Sequence, residues 1–277
     1  MKGANKGAGF TIVEVMIVLA VTGALFISAA VAISGRTNRT QFQQSINQIT
    51  DVIRQNINDV SVGYYPNSGN IRCTSDGNTM SITSGAVEQG TNSGCVILGR
   101  AMQFSPSPVT DPEQYVMYPI AGMQRDNDGD EITTLAGAKP AVIFPSSAQS
   151  AAPDGSDKSK LQYGLTVSKM YYGGNEANAI GAFALVSSLG SYNGAQLQSG
   201  SQQISLVPVV GSSRNSTQTA AANAINSNLA TSPVAPTGGV SICFDSGTTN
   251  QSGLVTIGGS NSSQLSVTLS IKGNKGC

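Results

Sequence analysis

Residues 15–33 form an apolar run, entered through Gly9-Phe10-Thr11-Ile12-Val13-Glu14. The run is about long enough to cross a bilayer, which takes roughly 20 apolar residues at 1.5 Å rise each. One carboxylate, Glu14, stands at its entrance. Placing an ionised acid in hydrocarbon costs a few kcal/mol, so Glu14 calls for a partner. Its own helix offers no cation before Arg36, more than about 30 Å along the axis. Ahead of Phe10 lie nine residues with two lysines, Lys2 and Lys6, and no acid. The positive-inside rule puts that end in the cytoplasm, although Arg36 and Arg39 at the other end weaken the bias.

A short basic leader, a glycine, a phenylalanine, a glutamate five residues into the new chain and then a membrane-length helix together resemble the prepilins of type IV pili and the pseudopilins of type II secretion. The resemblance covers about residues 7–35. It implies that a prepilin peptidase cuts between Gly9 and Phe10 and methylates the new N-terminus. It implies assembly roles for Phe10, Glu14 and Gly23, the last standing where many family members carry a helix-loosening glycine. The proline that many of them carry a little later is absent, with Val31 near that place. The implied partners are identical or related pilin subunits, the peptidase, and a membrane assembly machinery with a separate ATPase motor. The implied locations are the cytoplasmic membrane before assembly and an extracellular filament after it. Such filaments serve adhesion, motility, DNA uptake or secretion. The alternative is a secreted or membrane-anchored β-rich enzyme or binding protein with an atypical signal, cut after Ala30-Val31-Ala32. Against it, the apolar run exceeds the 7–15 residues of an ordinary signal core and begins with a glutamate.

Beyond Arg36 the helical pattern continues. Phe42, Ile46, Ile49, Ile53, Ile57 and Val60 follow one another at spacings of three or four, one apolar stripe on a helix. No proline interrupts residues 10–65, and Gly63 followed by Pro66 closes the pattern. A continuous helix over 10–62 would be about 80 Å long. The expected fold is therefore α+β: a long N-terminal helix, membrane-spanning in its first half and amphipathic in its second, carrying a β-rich head. The expected division is a leader at 1–9, the helix at 10–62 with 10–33 as its transmembrane or filament-core part, a β-rich head at 63–240, and a C-terminal disulfide-closed β region at 241–277.

The head follows from local pattern. Short segments rich in Val, Ile, Tyr and Thr alternate with Gly, Asn, Ser and Pro clusters. They predict strands at 79–83, 95–102, 115–120, 141–144, 163–172, 182–189, 203–210, 240–244, 253–257 and 264–271, with a short helix at 217–230. Charged residues are only 11% of the chain, and its formal net charge is zero. Without Lys2 and Lys6, 13 basic side chains face 15 acidic ones. No basic cluster suggests nucleic acid. The four cysteines, Cys73, Cys95, Cys243 and Cys277, suggest disulfides in an exported chain. Three connectivities are open, and proximity favours Cys73–Cys95 with Cys243–Cys277. Zinc is disfavoured by the lack of any histidine and of Cys-x-x-Cys. Many type IV pilins close a C-terminal loop with a disulfide, and the layout of 241–277 is similar.

Little here points to chemistry. Asp126, Asp128 and Asp130 alternate in the densest acidic stretch and would suit calcium, a hard ion that takes oxygen ligands. Their loop departs from the EF-hand, with glycine fourth rather than sixth and no glutamate twelfth. The competing reading is a solvated hairpin turn. Asp245-Ser246-Gly247 resembles an aspartic-protease loop, but such enzymes need two, and a turn between strands reads better. Without histidine there is no Ser-His-Asp or Cys-His arrangement, and no phosphate-binding loop is present. The expectation is a structural protein, not an enzyme.

Overall fold

The computed structural model describes residues 10–63, 71–75, 80–84, 95–105, 112–126, 128–130, 132, 134–142, 157–187, 204–213, 216–230, 238–258 and 265–277. One unbroken helix, α1, runs from Ile12 to Val62. Gly63 ends it in the left-handed conformation at φ 69°, which costs a glycine nothing, and its N–H bonds the carbonyls of Asp59 and Val60.

The head is built from antiparallel strands. In chain order they are β1 (Ile71–Ser75), β2 (Met80–Ser84), β3 (Cys95–Phe104), β4 (Gln114–Met123), β5 (Ala141–Val142), β6 (Asp157–Lys160), β7 (Leu165–Tyr172), β8 (Ala182–Ser187), β9 (Ile204–Pro208), β10 (Val240–Ser246), β11 (Ser252–Ile257) and β12 (Val267–Lys272). A second helix, α2 (Gln218–Ala230), precedes β10. The larger sheet has the order β5-β4-β3-β8-β9, with β6 also paired to β4. A four-stranded sheet has the order β12-β11-β10-β7, and β1 and β2 pair by themselves. The α+β architecture is as expected.

Two cores follow from the period-two alternation of strands. Phe42, Ile46, Ile49, Ile53, Ile57 and Val60 of α1 are buried against Met102 and Phe104 of β3, Phe183 and Leu185 of β8, and Ile242, Phe244 and Val255 of the smaller sheet. The alternate residues of the larger sheet, among them Ala101, Val116, Tyr118, Ala182, Ala184 and Val186, face Ala222, Ile225 and Leu229 of α2. The larger sheet thus lies between the two helices, while the smaller one covers α1 from another side.

The close approach of α1 to β11 depends on Gly253. A Cβ there would overlap Ile46 Cδ1 and touch Phe42. Pro119, which lacks an N–H, sits in β4 where β5 has ended and β6 has not begun.

Several expected strands shift. Tyr163 and Gly164 form a turn, both at positive φ, because the chain reverses there after β6. Val209 and Val210 leave β9 for a turn held by Asn228 of α2. β3 and β4 run to ten residues each, longer than expected. The polar strands β1 and β6, with sequences Ile-Arg-Cys-Thr-Ser and Asp-Lys-Ser-Lys, carry too little apolar signal to be read from sequence.

Candidate functional site

Thr11 caps α1 with extended backbone, φ −77° and ψ 149°. Its hydroxyl accepts from Glu14 N at 3.3 Å, and the Glu14 carboxylate accepts from Thr11 N at 3.5 Å. Each side chain thus accepts from the other residue's amide, a capping box, and Glu14 N also donates to Thr11 O at 3.1 Å. Thr11-Ile12-Val13-Glu14 carries the Thr-x-x-Glu signature of that motif, a signal the sequence reading passed over when it sought a partner for Glu14 only outside the helix. The backbone of its own first turn is one partner; among the described residues no cation is.

From this cap onward the helix is bare. Phe10 is 83% exposed and Phe26 78%, and none of the described residues packs on the membrane-length window of α1. Its few polar side chains bond within the helix: Thr22 donates to Val18 O at 2.8 Å and Ser28 to Leu25 O at 2.9 Å. Such internal satisfaction is what an apolar surrounding requires of a hydroxyl. A side chain at Gly23 would meet nothing within 4 Å, so neither turn nor packing within this chain calls for glycine there. Gly9 lies outside the described residues.

The second half of α1 is fixed to the head by polar contacts as well as by its stripe. Arg100 of β3 donates to Asn56 Oδ1 at 2.9 Å and pairs with Asp59 at 3.2 Å, both ends of the ion pair being about 15% exposed. Ser45 donates to Gln162 O at 2.7 Å. On the far side of the larger sheet, Tyr118 donates to Gln103 Oε1 at 2.8 Å and Gln103 Nε2 to Ser216 O at 2.8 Å, which ties the sheet to the start of α2. Burial raises the Tyr118 hydroxyl pKa well above the ordinary tyrosine value.

The C-terminal residues are closed by a disulfide from Cys243 to Cys277, Cα atoms 5.8 Å apart. Around it Gly276 N donates to Asp245 Oδ1 at 3.1 Å, Cys277 N to Ser252 Oγ at 3.2 Å, and Lys169 Nζ to Gly276 O at 3.4 Å. Asp245 is thereby an anchor for this loop. Ser246 Oγ accepts from Thr248 N and Thr249 N, so Asp245-Ser246-Gly247 is a hydrogen-bonded turn. The side chains of Cys73 and Cys95 lie outside the described residues.

The acidic stretch is a tight turn. Asp126 Oδ1 accepts from Asp128 N at 3.0 Å and from Asp130 N at 2.8 Å, while Asp126 N donates to Asp130 O at 2.9 Å. Gly129 takes φ 85°, which favours glycine at that point. Among the described residues no three His, Cys, Asp or Glu side chains gather as a metal would need.

No curated protein and no solved structure matches the chain. A family model described as the prokaryotic N-terminal methylation motif matches residues 4–30, which take in Gly9-Phe10, the capped helix start and most of the bare apolar run. The chain therefore carries the N-terminal methylation motif that is the hallmark of type IV pilin and pseudopilin prepilins.

Proposed function

We propose that this chain is a structural subunit of a type IV pilus or pseudopilus-like filament. A prepilin peptidase cuts between Gly9 and Phe10 and methylates Phe10. The subunit waits in the cytoplasmic membrane, and a machinery with its own ATPase motor packs it against identical or related subunits outside the cell. The observation that carries this reading is the division of α1: one continuous helix whose second half is the core of the head and whose first half is apolar and, among the described residues, packed against nothing. A surface of that kind needs lipid before assembly and protein afterwards. The role is one of assembly rather than catalysis. In the exported head, Cys73 and Cys95 pair with each other, as Cys243 does with Cys277.

Mass spectrometry of the mature protein tests it. Phe10 at the N-terminus, methylated, supports the subunit reading. An N-terminus at Ile33 supports the secreted alternative, and intact Met1 in sheared filaments rejects processing.

A further inference from the structure

We infer that the end of the head nearest the bare helix is a docking face for anionic phospholipid headgroups, on which the head rests while the subunit waits in the membrane. This rests on the proposed reading of residues 10–33 as a membrane span.

The geometry defines which end that is. Gly253 of β11 lies against Ile46 and Phe42, the first buried turns of α1, and Ile271 of β12 pairs with Gly253. At the other end of β12, the Val267 carbonyl accepts from Arg54 at 3.3 Å. Going from Val267 to Ile271 therefore follows α1 back toward its bare half, and residues 272–277 lie at the lower end. The Asp245–Gly276 and Cys277–Ser252 bonds bring the end of β10 and the start of β11 there. Gly247 N donates to Gly164 O at 3.0 Å, and Ser45 of α1 donates to Gln162 O, which adds the 162–164 turn.

Lys272 and Lys275 are exposed on this face, as are Arg36 and Arg39 on the helix below it. Tyr163 is 46% exposed there at φ 54°, a conformation unusual for a tyrosine. Among the described residues the side-chain acids of the face are engaged: Glu113 pairs with Lys160 at 3.1 Å, and Asp245 accepts from Gly276 N. Lys272 Nζ donates to Cys277 O at 2.6 Å, which leaves Lys275, Arg36 and Arg39 as the cations of the face with no acid partner among the described residues. Ser45 stands twelve residues beyond Ile33, about 18 Å along the axis. Arg36 and Arg39 fall about 5–9 Å beyond Ile33, at headgroup depth, and the base of the head follows within roughly a Debye length. Two arginines at the outer end of a span run against the positive-inside rule, and anionic headgroups give them a counter-charge. An exposed tyrosine at this level suits the interface, where one end of the ring is wet.

The chain contains no tryptophan, so Tyr163→Trp introduces a single reporter. The full chain with this change is placed in nanodiscs of phosphatidylcholine alone or with phosphatidylglycerol, each containing a headgroup-spin-labelled lipid. Protection of residues 10–33 from hydrogen exchange reports insertion. The expected result is strong quenching in the phosphatidylglycerol discs only, lost in 0.5 M salt and lost again with Lys272→Glu/Lys275→Glu. Each lysine near an anionic surface shifts the docked ratio about fivefold. Equal quenching in both lipids, or quenching indifferent to salt, overturns the docking face while leaving the span intact. Failure of residues 10–33 to gain protection overturns the span reading, and the docking face with it.

Discussion

Glu14 carries two loads that one substitution confuses. Its backbone and carboxylate close the capping box with Thr11, and its charge stands at the entrance of an apolar run. Glutamine keeps the box and removes the charge, whereas valine removes both. If the charge sets the height at which a subunit enters a filament, Glu14→Gln and Glu14→Val both lower the ratio of sheared filament to membrane pool, with cleavage unchanged. If only Glu14→Val lowers it, the helix cap is the working part, and an ion pair with the methylated amine of a neighbouring Phe10 is ruled out. The residue was found in sequence because an acid next to an apolar run is conspicuous. Its partner was missed because a capping box is a four-residue pattern, Thr11 to Glu14, inside a longer signal. Asp126 illustrates the reverse case. Alternating carboxylates look alike in sequence whether they surround an ion or cap a turn; the structure shows that Asp126 does cap the Asp128 and Asp130 amides.

At the scale of elements, α1 was legible except at its start, which the Thr11 cap sets at Ile12 rather than Phe10: the stripe from Phe42 to Val60 is the buried face, and Gly63 is the stop. The reason is that a helix 51 residues long repeats its period many times. β6 contributes only four polar residues whose pairing is decided by β4, so its strand state is a property of the sheet and not of its own sequence. The contact of α1 with β11 was likewise invisible, since it needs a glycine opposite a particular isoleucine. Gly253→Ala should destabilise the head by about 1–3 kcal/mol through overpacking. Adding Ile46→Val, which removes the overlapped Cδ1, should restore part of that loss, so that denaturant midpoints give a double variant less damaged than the sum of the singles. The C-terminal staple closes a separation of 34 residues. Cys243→Ala/Cys277→Ser should cost roughly 3–4 kcal/mol, lowering the melting temperature by about 10 °C. An unchanged melting temperature would mean that the Asp245, Ser252 and Lys169 contacts hold the loop alone.

For the whole molecule, none of the described residues of the head packs on the bare half of α1. A chain beginning near Ser34 should therefore remain monomeric in water and melt as the full-length protein does in detergent, as differential scanning calorimetry would report. A large drop would show that residues 10–33 support the head. The same separation has a mechanical side. No proline and no break in the helix separates Phe42, locked in the head, from Ile12 at the start of α1. Force applied to the head is delivered along a strut straight to the membrane half, with no slack to absorb it. Fourteen large apolar side chains on that half stand exposed, from Phe10 to Ile33. Moving them all from lipid into water would cost roughly 20–40 kcal/mol, at about 1.5–3 kcal/mol each. An unbroken helix offers no loop through which to release them a few at a time. Extraction must then be a slide in which each turn of helix leaves lipid only as it meets another protein surface, and a subunit drawn out with no neighbour beside it should fall back.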